Sequence, residues 1–296
     1  MVETFAQNFP VLTDLFEHGR PIHGLWDSRR ERFSLGGLLL LRQELEQLAQ
    51  SFATEDLILH IIGAADLAKT SLLDHVLSSK YRFEISSSPP PAKVWPPSSL
   101  MEHPVFSYQF FDRVAGIFRQ TGNKPKLLWS AKALDEASSV RLRFPGALYA
   151  IHLKNVTGQT IFDSNVDMES WYSFFSAHAK PGDTDFILLG TDAVSSRILG
   201  LPGVHSAAAM ELALSVQLAL VPLCNGFLGM ASGVSPAAIL SDTPYVLFKH
   251  PRHHVKEMQR ELGTTEHFCF AHARQKVWRM VDSPDNLEQA FATLSK

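Results

Sequence analysis

The sequence predicts an α/β protein made of two units, each a parallel sheet with helices on both faces. Short apolar segments alternate with segments of helical periodicity along the chain. Its 296 residues are enough for two domains of roughly 150 residues each. Polar or glycine-rich residues follow several apolar segments, as they do after strands of open sheets. We place the boundary near Pro145-Gly146, which gives an N-terminal domain 1–145 and a C-terminal domain 146–296.

The first half begins with a helical pattern and then alternates between strand and helix. Leu38, Leu41, Leu45 and Leu48 have helical spacing. The proline-rich segment 86–99 cannot form a regular helix and is predicted to be a loop with a short extended piece at Val94. The predicted elements are helices at 10–18, 35–52, 66–77, 105–118 and 131–142, strands at 56–62 and 83–85, and extended segments at 21–26 and 127–129.

The second half repeats the alternation more clearly. Ser164 or Asn165 is the expected cap of a helix that starts at 166, and Gly263 is expected to end another. The last helix is a candidate to pack back on the N-terminal domain. The predicted strands are 148–153, 186–190, 226–229, 245–248 and 268–270, and the predicted helices are 166–177, 208–220, 236–240, 255–262, 275–281 and 287–294.

Composition excludes several classes of function. The chain is 45% hydrophobic and 19% charged, as globular proteins are. A net charge of −3 argues against a nucleic-acid-binding surface. The N-terminus has no basic-then-apolar signal pattern, and the longest apolar run, 212–223, is too short to span a bilayer. We therefore expect a cytoplasmic protein without a membrane span, with peripheral membrane association left open.

Familiar cofactor and metal motifs are missing from the sequence. It contains no GxGxxG, no GxxxxGK[ST] and no HExxH. Cys224 and Cys269 do not form a CxxC pair and are expected to be buried free thiols. The expectation is a protein with no resident cofactor and no metal.

The most informative segment is 226–248, GFLGMASGVSPAAILSDTPYVLF. It predicts a strand, a small-residue turn, a helix start and a second strand. Ser232 or Ser235 can cap the helix, Pro236 suits its first turn, and Gly233 lets another group approach the backbone. Backbone N–H groups and a small hydroxyl at such a turn suit a phosphate. An ordinary capped helix is the alternative.

Three further strand ends carry polar residues of the same character. Because ligands lie beyond the carboxyl ends of parallel strands, these residues could surround one crevice that suits a nucleoside diphosphate. A solvated lysine, a helix cap and a core histidine are the alternative interpretations for Lys154, Thr191-Asp192 and His152. The residues are His152 inside the end of the first strand, Lys154 and Asn155 after it, Thr191 and Asp192 after the second, and Lys249 after the fourth.

Residues 146–270 resemble the nucleotide-binding domain of GT-B glycosyltransferases, which have two Rossmann-like domains that face each other across a cleft. YAIHLKN, ending at Asn155, is similar to the strand and basic turn that opens this domain in fucosyltransferase-like members. Lys154 stands where their first arginine would be, and Asn155 replaces the second. The 226–248 segment resembles the Ser/Gly turn that meets the donor phosphates in heptosyltransferase-like and fucosyltransferase-like proteins.

The resemblance implies a nucleotide-sugar donor as substrate and a glycan or other hydroxyl acceptor. It implies phosphate or nucleotide binding by Lys154, Asn155, Thr191, Asp192, Ser232, Gly233, Ser235 and Lys249. The matching turn of the first half has Gly63 on the acceptor side and Asp66 as a candidate general base, with a helix cap as the alternative for Asp66. His152 is the second candidate catalytic residue.

The predicted function is transfer of a sugar from a nucleoside diphosphate to a hydroxyl, in polysaccharide or other glycan biosynthesis. Two alternatives stay open: a sugar-nucleotide epimerase on the same scaffold, and a non-catalytic protein that binds a glycan or a partner. The non-catalytic alternative stays open because Lys154 and Asn155 stand where fucosyltransferase-like proteins have two arginines. The sequence leaves the donor base, the acceptor and the oligomeric state open.

Overall fold

The computed structural model describes residues 9–30, 33–63, 70–100, 110–156 and 165–295. Contacts divide the chain into two compact units. The first unit comprises Met1–Ser130, Lys256–Gly263 and Phe268–Phe270, and the second unit comprises the rest. The division after Ser130 comes earlier than the 145/146 boundary that the sequence indicates, because the helix that begins at Ala131 packs within the second unit. The roles assigned to domains 1–145 and 146–296 stay predictions.

The first unit contains a parallel sheet. Within the described ranges its strands are hydrogen-bonded in the order β1-β2-β3. The predicted strand 56–62 is confirmed at its full length, and residues 105–109 of one predicted helix lie outside the described residues. The elements up to Ser130 are α1 (Leu12–Leu15), β1 (Ile22–Asp27), α2 (Leu35–Ser51), β2 (Asp56–Ile62), α3 (Thr70–Val76), β3 (Arg82–Ser86), a 3-10 turn (Ser98–Leu100) and α4 (Phe110–Thr121).

Helix α2 is the central helix of the first unit. Ser34 caps it by accepting a hydrogen bond from the Gly37 N–H at 3.2 Å. The leucines predicted to face the core are buried, but so are Arg42, Glu44 and Glu46 on the other faces. A helix buried all round needs partners for its charges, and these three side chains find them in ion pairs within the unit.

The second unit contains a larger parallel sheet. In the part of the chain that the structure describes, its strand order is β6-β5-β4-β7-β8-β9. Strand β4 is therefore central, with β5 on one side and β7 on the other. Its elements, with α10 continuing into the first unit, are α5 (Ala131–Arg141), β4 (Ala147–His152), α6 (Met168–His178), β5 (Thr184–Leu188), α7 (Ser196–Leu199), β6 (Val204–Ser206), α8 (Leu214–Leu220), a 3-10 turn (Val221–Leu223), β7 (Gly226–Met230), α9 (Pro236–Ile239), β8 (Tyr245–Phe248), α10 (Val255–Leu262), β9 (Gln275–Trp278) and α11 (Pro284–Leu294).

Several predictions for the second half are wrong near the edges of this sheet. The predicted helix 275–281 is strand β9, which pairs with β8, and the predicted strand 268–270 is not a strand. Helix α8 begins at Leu214 rather than at 208, and β6 was not predicted. Periodicity alone cannot separate helix from strand over so few residues. Long-range hydrogen bonds decide between helix and strand here. Residues 275–278 pair with β8, and the buried Gln275 side-chain amide donates to the carbonyls of Ser241 and Thr243 at 2.8 and 3.0 Å.

Of two predictions about helix ends, one is wrong and one is confirmed. Asp167, not Ser164 or Asn165, caps α6, because its carboxylate accepts from the Glu169 N–H at 3.2 Å. Asn165 instead makes paired hydrogen bonds with the Val156 backbone, and Ser164 lies outside the described residues. Gly263 ends α10 as predicted, with a φ of +62°.

The last helix belongs to the second unit. Helix α11 packs on α6, β7 and β8, so the expectation that it returns to the first domain is wrong. The chain returns to the first unit through Lys256–Gly263 and Phe268–Phe270 instead. There Phe268 stacks on Phe111 with 4.4 Å between ring centroids, and Arg260 pairs with Asp112.

Aromatic residues of helix α6 pack on the sheet of the second unit. Trp171, Phe174 and Phe175 of α6 belong to one hydrophobic core with strands β4, β5, β7 and β8. Of the two free thiols, Cys224 is buried as expected, and burial raises its pKa to about 12. Cys269 is exposed, contrary to the expectation. None of the described helices combines the length and apolar character needed to cross a bilayer.

Candidate functional site

The predicted site residues of the second unit lie at one edge of its sheet. They follow β4, β5, β7 and β8, and these four strands are parallel neighbours in the order β5-β4-β7-β8. After β4 the chain forms strands to one side, and from β7 onward it forms strands to the other. The carboxyl ends of β4 and β7 thus flank a topological switch point, where open α/β sheets bind ligands.

His152 and Asp192 form the best-defined contact at this edge. His152 ends β4 and is 3% exposed. Its Nε2 lies 3.1 Å from Asp192 Oδ2, and a carboxylate only accepts, so Nε2 carries the proton. Nδ1 is buried and has no hydrogen-bond partner among the described residues. Because it is buried, His152 acts here by orienting Asp192, and its catalytic role stays a prediction.

Asp192 also organises the loop that follows β4. Its Oδ1 accepts a hydrogen bond from the Asn155 N–H at 3.3 Å, and the Asn155 amide donates to the Ala193 carbonyl at 2.7 Å. The alternative that Thr191-Asp192 caps a helix is wrong, because Ser195 caps α7. Thr191 is exposed. Hydrogen bonds of Asn155 and Asp192 therefore connect the loop that follows β4 to the loop that follows β5.

Two residues that the sequence did not single out support this arrangement. Gly190 has a φ of +89°, and a Cβ there would lie 3.0 Å from His152 Nε2. Its N–H donates to the buried Gln217 of α8 at 2.8 Å, and Gln217 donates to the Leu212 carbonyl. A lone glutamine in the longest apolar run of the sequence, 212–223, is the signal that could have identified this support.

Charges at this edge interact with one another. Burial lowers the pKa of the Lys154 ammonium, and the negative charge of Asp192 opposes this shift. The hydrogen bond from His152 lowers the pKa of Asp192, and the Asn155 N–H and the Lys154 charge lower it further. An anion near a partly desolvated ammonium is less screened than it would be in water, so the partial burial of Lys154 strengthens its attraction for an anion.

The Asp192 interactions predict a specific pH dependence of stability. Since the pKa of Asp192 is lowered in the folded state, its contribution is complete above its unfolded pKa and is lost as the pH falls through the folded pKa. We expect wild type to exceed Asp192→Asn in unfolding free energy at neutral pH, and the difference to shrink below about pH 4. Urea unfolding of both proteins over a pH series measures it. A difference that is constant with pH would contradict this assignment.

The turn after β7 is held by its own serines. The Ser235 hydroxyl is buried, accepts from the Ser232 N–H at 2.8 Å and donates to the Met230 carbonyl at 3.3 Å. The Ser232 hydroxyl accepts from the Val234 N–H at 3.3 Å. Ser235 occupies the N-cap position of α9, as one of the two alternatives predicted, but its side chain makes no capping hydrogen bond. Phosphate binding by Ser232, Gly233 and Ser235 stays a prediction.

The remaining predicted residues are spread over both units. Lys249 follows β8, and its N–H donates to the Trp278 carbonyl at 2.9 Å. In the first unit, Gly63 follows β2 with a φ of +73°, and a Cβ there would meet Arg29. Arg29 forms a bidentate ion pair with Asp27 at the end of β1. Asp66 lies outside the described residues.

Two solved structures resemble this chain along most of its length. A glycosyl transferase family 9 protein from Veillonella parvula has a TM-score of 0.55 at 11% identity, over 95% of this chain and 99% of that one. The E. coli heptosyltransferase WaaC with ADP has a TM-score of 0.50 at 11% identity, over 93% and 100%. The chain has the fold of these glycosyltransferases. The predicted fold class, GT-B-like α/β, is confirmed.

Comparisons at the level of sequence find no match. No protein-family model matches the chain, and no curated protein sequence matches it. A fucosyltransferase NodZ from Bradyrhizobium is also similar, at a TM-score of 0.39 and 10% identity, over 76% of this chain and 94% of that one. No group of three potential metal ligands occurs among the residues that the structure describes.

Proposed function

We propose that the protein is a glycosyltransferase that takes a sugar from a nucleoside-diphosphate donor and transfers it to a hydroxyl acceptor. One observation carries the proposal. In a fold shared with glycosyltransferases, Lys154 and the Ser232-Gly233 turn follow two adjacent parallel strands at the topological switch point.

The chemistry of this edge suits a departing diphosphate. Breaking the bond between the sugar and the diphosphate leaves negative charge on phosphate oxygens, and donors aimed at that charge stabilise the transition state. Lys154 supplies a partly desolvated cation, and Asp192 fixes the loop that carries it. The Ser232-Gly233 turn supplies small residues and the Gly233 N–H, whereas the N–H groups of Ser232 and Val234 already donate to serine hydroxyls of the turn. A bound diphosphate would raise the pKa of Lys154, since it adds negative charge.

Titration calorimetry with ADP, GDP, UDP and CMP tests the proposal. We expect one nucleoside diphosphate to bind more tightly than the others and much more tightly than CMP, because the cation and the turn are assigned to a diphosphate. Folded protein that binds none of the four would contradict the proposal. The base preference then selects the nucleotide-sugar for product analysis.

Product analysis separates the proposed reaction from the two alternatives. A transferase releases nucleoside diphosphate only when it turns over donor with acceptor or water, whereas an epimerase changes the sugar while it stays attached. No specific observation favours the epimerase. The proposal includes a glycan acceptor, the acceptor-side role of Gly63, a role in polysaccharide biosynthesis, and a cytoplasmic location.

A further inference from the structure

The first unit has a surface cavity that the proposed function does not use. Its volume is about 330 Å³, within the range of small-molecule sites. Leu15 and Phe16 supply apolar walls, and Arg20, His23 and Lys93 supply positive or titratable groups. The cavity lies beside the start of β1, at the amino edge of its sheet. Gly63 and Asp27 follow strands at the opposite, carboxyl edge.

Backbone pairing orders the chain beside the cationic residues of the cavity. The loop after β3 runs alongside β1, with the Trp95 N–H donating to the His23 carbonyl at 2.8 Å and the Leu25 N–H donating to the Trp95 carbonyl at 2.7 Å. Lys93 is two residues from this pairing, and Arg20 is two residues before β1. The wall is therefore built from ordered backbone rather than from long side chains alone.

His23 is the end of a short hydrogen-bonded chain. His60 Nδ1 lies 3.0 Å from the Ser88 carbonyl, which only accepts, so Nδ1 carries a proton. The neutral His60 Nε2 then accepts from His23 Nδ1 at 2.9 Å. This leaves His23 Nε2 without a partner within the described ranges. Protonation of His23 adds a donor at Nε2 and leaves the chain to Ser88 intact.

Charge around the cavity favours an anion. The side chains of Arg20 and Lys93 are exposed, and neither makes an ion pair or a hydrogen bond with a described residue. Glu17 is the one acid among the lining residues of the cavity. Glu84 shares the sheet face of His23 with Ile58 between them. Asp56, on the same face, is already paired with Arg82. The positive charge available from Arg20, Lys93 and a protonated His23 therefore exceeds the negative charge of the unpaired carboxylates near the cavity.

We propose that this cavity binds a small organic anion, in which one oxyanion group is joined to an apolar portion. The oxyanion contacts Arg20, Lys93 and His23 Nε2, and the apolar portion contacts Leu15 and Phe16. Carboxylates, sulfonates and phosphate esters share this chemistry. The site is independent of the diphosphate-binding edge of the second unit, so either proposal can fail alone.

Binding at this site is coupled to protonation of His23. Burial lowers the pKa of His23 in the free protein, and the neighbouring His60 lowers it further. A bound anion favours the imidazolium and raises that pKa. Affinity for an anion of fixed charge therefore increases as the pH falls through the His23 pKa of the complex, and it levels off below that of the free protein.

Calorimetry with benzenesulfonate tests the site, because this probe keeps its charge across the titration range of histidine. We expect binding about three- to tenfold tighter at about pH 5.5 than at about pH 8, which corresponds to a pKa change of up to one unit. Benzyl alcohol, which lacks the charge, should bind weakly at both pH values. Equal affinity of wild type for benzenesulfonate at the two pH values, or no binding, would overturn the proposal.

Matched variants separate the site from general surface charge. His23→Gln keeps a donor for His60 and should remove the pH dependence. Arg20→Gln with Lys93→Gln should weaken binding about tenfold or more. Lys80→Gln removes an exposed lysine of the same unit that does not line the cavity, and it should have no effect. Equal weakening by Lys80→Gln and by the double variant would refute the site, with circular dichroism confirming that each variant is folded.

Discussion

Replacement of Arg42 by methionine is expected to lower the unfolding free energy by about 3–5 kcal/mol, the range for removing one partner of a buried ion pair. Arg42 is 1% exposed on α2. Its guanidinium donates to Glu46 Oε1 at 2.6 Å, to the Val76 carbonyl at 2.7 Å and to the Leu128 carbonyl. Methionine fills much of the volume but leaves a carboxylate and two carbonyls without this donor.

Glu46 explains why the expected loss is so large. Its Oε2 accepts from the Leu128 N–H at 3.1 Å, and its Oε1 accepts from the Ser79 hydroxyl. These two neutral donors remain in the variant, but the positive charge that balances the buried carboxylate is gone. The double variant Arg42→Met/Glu46→Gln should therefore recover part of the loss, because it no longer buries an unpaired charge.

Urea unfolding followed by tryptophan fluorescence measures these differences. Arg82→Met is the matched control, since Arg82 also pairs with a carboxylate but is 80% exposed. An exposed pair of this kind contributes about 0.2–1 kcal/mol. If Arg42→Met cost no more than Arg82→Met, the view that α2 depends on its buried ion pair would be wrong.

Replacement of Lys154 by alanine is expected to weaken nucleoside-diphosphate binding about 10- to 100-fold, because a hydrogen bond to a charged group contributes about 1.5–3 kcal/mol. Lys154 is partly buried beside Asp192, so its interaction with phosphate is less screened than that of a surface lysine. Calorimetry with the nucleotide that wild type prefers measures the change.

Lys180 provides the control for Lys154. It is an exposed lysine of the same unit, and it precedes β5, at the amino edge of the sheet. Lys180→Ala should leave nucleotide affinity unchanged, whereas Lys154→Arg should retain it, because an arginine also presents a cation to phosphate. Equal effects of Lys154→Ala and Lys180→Ala would rule out Lys154 as a phosphate ligand.

The strands of the second sheet show how much secondary structure can be predicted from the sequence. Strand β8 was predicted at its full length and β7 to within one residue, because apolar runs bounded by turn residues are strong local signals. Strand β9, by contrast, lies where the sequence predicts a helix. Its identity depends on pairing with β8, and the residues of one short segment do not record a distant partner.

The candidate site likewise contains some residues that the sequence predicts and others that it does not. Lys154, Asp192 and Ser232 were recognised because polar residues directly after apolar segments stand out in the sequence. Gly190 and Gln217 were not recognised, since their roles are contacts with residues remote in sequence. The same is true of the His23–His60 pair, which joins residues 37 positions apart.

The amino-acid sequence is enough to predict the α/β class, most of the helices and strands, and the residues that follow the strands. These depend on local periodicity and on turn chemistry, both of which act over a few neighbouring residues. The folded chain alone reveals the strand order that puts β4 and β7 side by side, the burial of the Arg42–Glu46 pair, and the cavity beside His23. Those features arise from long-range pairing and packing, whose free energy depends on which surfaces meet in the folded chain.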